Sequence, residues 1–230
     1  MGGPLKVIGI EINQGDNSIT ISQKQYLLSI LQKEGMNKVN PVSMPLNPNE
    51  KLEPNLEEHE DSGQQNAYLS LLGSLQYLST ATRPDITFAI NQLAAYTSNP
   101  RLSHYMALKR VLRYLKETID HGITYQNDNT LFENNNLCHQ YSDAAYANTD
   151  NHKLTSGCVF LVNKGAITWG SKKQSTITLS TTEAEYVTIS KASREALWLQ
   201  HLYGKLGFAR KQATILFGDN NGLIAMAKNL

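Results

Sequence analysis

The sequence predicts an α/β chain in two parts: a hairpin with a mainly helical segment, then a mixed sheet with flanking helices. Three observations predict it. Tyr68, Leu71, Leu72, Leu75 and Leu78 recur at helical spacing, and such spacing continues to about residue 118. From Leu137 the period changes to that of short strands. A long helical stretch then precedes one further strand, the order that builds a crossover onto a sheet.

Each element has a local reason. Residues 5–12 and 18–21 alternate around Gly15-Asp16-Asn17 and read as a hairpin. Ser22 with Gln25 three residues on reads as a capping box. It opens a helix with the stripe Tyr26, Leu27, Ile30 and Leu31, ended by Gly35. Pro41, Pro45, Pro48 and Pro54 forbid a regular helix over 36–62, and Glu57, Glu58, Glu60 and Asp61 follow. That segment reads as an exposed linker or meandering arm. After the helix beginning near residue 65, Pro84 suits the first turn of another, carrying Ile86, Phe88, Ile90 and Leu93. Asn99-Pro100 stops it. The next helix, 103–118, buries Leu108, Val111, Leu112 and Leu115 and is closed by Gly122. In the second part, 137–143, 157–162, 166–170 and 176–180 read as strands. A helix over 182–206, a strand over 214–218 and a helical start over 221–229 follow.

Composition narrows the class. The 230 residues are 40% hydrophobic and 18% charged, which excludes a disordered or collagen-like chain. Lys and Arg number 21 against 20 Asp and Glu, so a uniformly basic nucleic-acid coat is excluded while a local basic face is not. Cys138 and Cys158 are too few for a disulfide scaffold or a cysteine-rich zinc site. They point to reduced thiols and an intracellular, cytoplasmic setting. No apolar run reaches the roughly 18 residues of a membrane span. Met1-Gly2-Gly3-Pro4 opens no secretory signal.

Three carboxylates stand where chemistry can be built. Asp143 ends a strand, Asp219 ends the last strand, and Glu185 lies in the first turns of the long helix. Carboxyl ends of neighbouring strands converge on one crevice, and a helix opening beside them adds a third acid. Hard oxygen ligands of this kind suit Mg²⁺, and two such ions can clamp a phosphodiester. A strand-end aspartate also serves as a turn or cap residue, so the pattern alone leaves both readings open. The helix over 103–118 carries Lys109, Arg113 and Lys116 on one face opposite its leucines. That face is either a phosphate-tracking surface or a solvated amphipathic side. Lys172 and Lys173 either touch a backbone phosphate or are solvated in a turn. Trp169 and Trp198 read as core. His104, His139, His152 and His201 lack metal-ligand spacing, and no nucleophile elbow, Walker A loop or dinucleotide fingerprint occurs.

Several segments resemble the polyprotein of copia-type retrotransposons. They are Gly73-Ser74-Leu75-Gln76-Tyr77-Leu78, Thr82-Arg83-Pro84-Asp85-Ile86 and Lys109-Arg110-Val111-Leu112-Arg113-Tyr114-Leu115-Lys116. They continue with Tyr141-Ser142-Asp143-Ala144, Trp169-Gly170-Ser171-Lys172-Lys173-Gln174, Leu179-Ser180-Thr181-Thr182-Glu183-Ala184-Glu185-Tyr186 and Gly218-Asp219-Asn220. The resemblance implies a carboxyl-terminal, thumb- or connection-like reverse-transcriptase segment over 1–135 and a ribonuclease H-like domain over 136–230. It implies a five-stranded mixed sheet and two-Mg²⁺ hydrolysis of the RNA strand of an RNA–DNA hybrid. The partners would be that hybrid and the rest of the Pol polyprotein. The family's first aspartate falls on Asp143, its third carboxylate on Asp219, and its helix glutamate on Glu185 rather than Glu183. The resemblance puts the polymerase aspartates before residue 1, and a fourth acid after Leu230 with the last strand and helix. Asn148-Thr149-Asp150-Asn151-His152-Lys153 departs from the family's more basic run there. The alternative reading is a nucleic-acid-binding relic with an incomplete carboxylate set.

Overall fold

The computed structural model describes residues 5–56, 62–127, 139–145, 154–174, 181–208 and 214–217, with the backbone alone for Ser62, 139–145 and Thr181. The chain forms two compact units, Met1–Thr124 and Tyr125–Leu230. The strand expected over 176–180, the helical start over 221–229 and the acidic run from Glu57 lie outside the described residues.

β1 (Leu5–Val7), β2 (Ile10–Gln14), β3 (Ser18–Ser22) and β4 (Ile123–Gln126) form a sheet in that order, the first three strands lying wholly in the first unit. The expected hairpin is β2–β3, with Ile12 opposite Ile21. The first expected strand breaks in two, because Ile8 and Gly9 turn the chain at φ 50° and 78°. Gly122 does not close a helix. It lets the chain enter β4 past β3, where a Cβ would collide with the Ile21 carbonyl.

Among the described residues four α-helices cover the core of this unit: α1 (Lys24–Lys33), α2 (Ser62–Ala81), α3 (Thr87–Ala94) and α4 (Leu102–Glu117). The capping box expected at Ser22 does not form. Ser22 stays in β3 opposite Glu11, and the Glu11 carboxylate instead accepts the Gln25 N–H at 2.8 Å. The far end follows expectation. Gly35 takes φ 66°, its N–H donates to the Gln32 carbonyl, and the Met36 N–H reaches Leu31 at 2.7 Å. Tyr68, Leu75, Ile90, Leu93, Leu108, Val111 and Leu112 are fully buried in one cluster, whereas Phe88 faces outward. Pro84 opens a short 3-10 turn, Pro84–Ile86, rather than α3 itself.

The segment after α1 is an arm strapped to the unit, not a free linker. Val39, Leu46 and Leu52 pack on the core. Tyr96 Oη donates to the Leu52 carbonyl at 2.7 Å; Asn55 Nδ2 donates to Asn99 Oδ1 at 3.1 Å, and Asn99 Nδ2 to the Asn55 backbone carbonyl at 3.2 Å. Arg83, 3% exposed, fixes the end of α4: it forks onto Asp85 and donates to the Thr118 carbonyl at 2.9 Å. Burial would raise the Asp85 carboxyl, but the Arg83 hydrogen bonds and charge, with Tyr114 Oη, hold it below its ordinary value.

His104 closes the arm. It is fully buried, its ring stacked on Tyr96 at 3.9 Å. Nδ1 accepts the Arg101 N–H at 2.9 Å and Nε2–H donates to the Glu53 carbonyl at 2.9 Å. That pattern requires the neutral ring, since protonated Nδ1 would face a donor. Burial pushes its pKa down, Arg101 adds to this, and the Glu53 carbonyl opposes it. The folded value therefore lies below that of the unfolded chain, about 6.5. The stabilisation is present above about pH 6.5 and is lost as pH falls through the folded value. Urea midpoints should drop between pH 7 and 5, and His104→Gln should flatten that dependence. An unchanged pH profile in His104→Gln would refute the assignment.

Candidate functional site

The second unit is a sheet in the order β7 (Gly165–Lys173), β6 (Thr155–Val162), β5 (His139–Ala145), β8 (Ile215–Phe217). The first three pair antiparallel; β8 lies parallel to β5 after the long helix α5 (Thr181–Lys205). Phe160, Ala192, Ala196 and Leu199 form its buried cluster. This is the mixed sheet with a helical crossover that the sequence predicts.

A buried polar knot fixes α5 on the sheet. Gln174, 1% exposed, donates its N–H to the Leu154 carbonyl at 2.8 Å. Its Nε2 donates to Ser156 Oγ at 2.9 Å and to the Ala184 carbonyl at 3.0 Å. Thr188 Oγ1 donates to the Ala184 carbonyl at 2.9 Å, so the 2.7 Å bond between Ser156 and Thr188 runs from the Ser156 hydroxyl. The start of β6, the end of β7 and the first turns of α5 are thereby joined.

The knot decides which glutamate turns inward. Ala184, Glu185, Thr188 and Ala192 form the buried stripe of α5, with Glu185 only 7% exposed, while Glu183 is exposed. Asp143 stands in β5 opposite Gly157, and the next residue, Ala144, pairs with the knot's Ser156. Thus the strand of Asp143 and the helix of Glu185 meet at the level of the knot. Asp219 lies outside the described residues. It follows, two sequence positions on, the strand β8, whose Phe217 pairs with Tyr141 of β5. Among the described residues no group of three or more His, Cys, Asp or Glu is gathered.

The other expected site residues are distributed differently. Lys172 and Lys173 are exposed at the end of the edge strand β7, not in a turn. Trp198 is not core: it is 54% exposed, because Ala192, Ala196 and Leu199 already fill the sheet-facing stripe. Trp169 is half-buried in β7. Cys158 is a free, partly buried thiol whose pKa burial pushes up, with Glu195 adding to the rise.

Lys109, Arg113 and Lys116 belong to the first unit and turn onto its own arm. Lys109 Nζ meets the Glu34 carboxylate at 2.8 Å and its carbonyl at 3.2 Å. Arg113 Nε donates to the Asn40 carbonyl at 2.7 Å, and Lys116 Nζ to those of Asn37 and Val39 at 2.7 and 2.9 Å. These cations cap backbone groups that a proline-interrupted segment leaves unpaired. Sequence reasoning missed the roles of Gln174 and Thr188. Gln174 closes one of the quoted motifs, but nothing in that motif shows which atoms its amide reaches.

Comparison with known proteins adds an independent line. The chain is 36% identical over 223 residues to the retrovirus-related Pol polyprotein from transposon RE2 of Arabidopsis thaliana, covering 96% of this chain and 15% of that protein. It is 31% identical over 236 residues to the Pol polyprotein from transposon TNT 1-94 of Nicotiana tabacum, covering 100% of this chain and 17% of that one. It is also 34% identical over 191 residues to an uncharacterized mitochondrial protein of Arabidopsis thaliana, covering 83% of this chain and 76% of that protein. The chain thus spans well under a fifth of the length of the Pol polyproteins it matches. No family model and no solved structure matches it. Among the described residues no helix is long and apolar enough to cross a membrane.

Two outcomes follow for the two sets of contacts. Thr188→Val should cost about 1–3 kcal/mol in urea denaturation, because it leaves the buried Ser156 hydroxyl without its acceptor. Replacing Arg113 and Lys116 together with Ala should lower the melting temperature of the chain, each lost hydrogen bond contributing about 1 kcal/mol or less after solvent screening. An unchanged melting temperature would return that face to mere solvation.

Proposed function

The chain belongs to the Pol polyproteins of retrotransposons, copia-type and Ty-type relatives alike, as a Pol-derived region, and from that premise we propose that its second unit is a ribonuclease H-like domain. It would hydrolyse the RNA strand of an RNA–DNA hybrid, with Asp143, Glu185 and Asp219 as its catalytic carboxylates. The first unit would be the carboxyl-terminal, thumb- or connection-like part of the reverse transcriptase. The observation that carries the reading is the burial of Glu185 on the sheet-facing stripe of α5, at the level where β5 carries Asp143. The reading takes the parallel register of Tyr141 and Phe217 two residues further in each chain segment, to Asp143 and Asp219.

The donor set fits Mg²⁺. Three carboxylates offer hard oxygens, and a carboxylate as buried as Glu185 is costly to ionise unless positive charge or donors face it. Bound Mg²⁺ would supply charge neutralisation and a lowered pKa for water. The chain's own part is positional. Asp143 in β5 and Asp219, two sequence positions past β8, would hold the site from the sheet side; Glu185, fixed by the knot, would hold it from the helix side. Water attacks phosphorus, the bond from phosphorus to the 3′ oxygen breaks, and the RNA strand ends in a 3′-hydroxyl. RNA is chosen over DNA by its 2′-hydroxyls in the minor groove.

The test is cleavage of an end-labelled RNA strand, hybridised to DNA, by the full chain in Mg²⁺. Asp143→Asn, Glu185→Gln and Asp219→Asn should each abolish it, and Glu183→Gln should stay within about twofold, less than 1 kcal/mol of transition-state stabilisation. Loss in Glu183→Gln with retention in Glu185→Gln would overturn the helix register. Hybrid binding without any Mg²⁺-dependent cleavage would overturn the enzyme reading in favour of a binding relic.

A further inference from the structure

The outer flank of α5 carries a feature the carboxylate site does not use. Lys191, Arg194, Trp198 and Lys205 follow one another at spacings of three, four and seven residues, one stripe along the helix. Arg194 and Lys205 are exposed and Trp198 is 54% exposed. The knot extends the stripe onto the sheet. Lys172 pairs with Ser156, Ser156 bonds Thr188 at 2.7 Å, and Lys191 is one helical turn past Thr188.

The stripe is net positive, with Lys172, Lys191, Arg194 and Lys205 against Glu195. From Lys191 to the end of α5 the one acid is Glu195, whose carboxylate accepts a hydrogen bond from Thr168 Oγ1 on β7 at 3.0 Å. Among the described residues no ion pair neutralises Lys172, Lys191 or Arg194. Partial burial first, then the charges of Lys172 and Arg194, push Lys191 below its ordinary ammonium value, with Cys158 opposing. Cations held together in excess over acids attract a polyanion. A large exposed indole among them adds a stacking platform, and the pairing of a basic track with such a platform is how single strands are bound without sequence preference.

We propose that Lys172, Lys191, Arg194 and Trp198 form a binding track for single-stranded nucleic acid, its phosphates along the cations and one unstacked base on the Trp198 ring. A duplex fits less well, since its bases have no free face to offer the indole. The track is separate from the carboxylate site and does not rest on the ribonuclease reading.

The test uses the full chain and a fluorescein-labelled single-stranded thymidine oligonucleotide, read by anisotropy across a salt series and by quenching of tryptophan fluorescence. Lys191→Gln and Arg194→Gln should each flatten the slope of log K against log salt by about 0.7. Trp198→Ala should weaken binding roughly tenfold and remove most of the quenching, while Trp198→Phe, which keeps a ring, should retain most of the affinity. Asp143→Asn and Glu185→Gln should leave single-strand binding unchanged, so failure of the track and failure of the carboxylate reading are told apart. Equal affinity for a blunt duplex, or binding and quenching indifferent to Trp198→Ala, would overturn the proposal.

Discussion

Everything proposed for the second unit depends on one amide. Gln174 sits where β7 ends and reaches both Ser156 on β6 and Ala184 on α5. A buried polar group must find partners or cost the fold its desolvation penalty, so this side chain sets helix and sheet in one relative register. Apolar packing of Ala192, Ala196 and Leu199 would tolerate a small rotation of α5. The hydroxyl relay from Ser156 through Thr188 to the Ala184 carbonyl does not. Because Glu185 is the next residue after Ala184, the same relay holds that carboxylate against the sheet and leaves Glu183 in solvent.

What was legible in the sequence was what periodicity encodes. The leucines of α2 and α4, the turn after β2, the Gly35 helix end and the crossover to a parallel strand all follow from spacing and turn chemistry. What was not legible was any interaction whose partner lies far along the chain. Ser22 and Gln25 have the spacing of a capping box, yet Glu11 on the neighbouring strand reaches the same helix end and Ser22 remains in the ladder. Trp198 has the composition of a core residue, but the sheet-facing stripe is built from alanines that bring α5 close and leave no room for an indole.

The candidate site was legible to the same extent. The choice of Glu185 over Glu183 rests on the family resemblance of its Ala-Glu-Tyr context, and the two side chains differ in burial, Glu185 inside and Glu183 exposed. The level at which β5 meets α5 is set by strand register and by the knot, and sequence carries neither, since a register shift of one residue is invisible in composition.

Charge patterning was the weakest guide, and the two basic stripes of this chain show why. Lys109, Arg113 and Lys116 repeat every three or four residues on one helix, and so do Lys191 and Arg194 on another. By spacing they are alike. In space they are opposites. The first set donates to carbonyls of an arm that prolines keep from pairing with itself, so its charge is consumed in holding the chain together. Among the described residues no such arm lies over the second set, and Glu195, the acid that follows Arg194, accepts a hydrogen bond from a threonine on the sheet. A cation already bonded to main-chain oxygen must give up that bond to meet a phosphate, whereas one pressed against other cations gains by meeting it. Lys191 is the residue whose cationic neighbours make its charge costly, and the proposed track on α5 draws on that crowding, whereas the cations of α4 are already bonded to the arm.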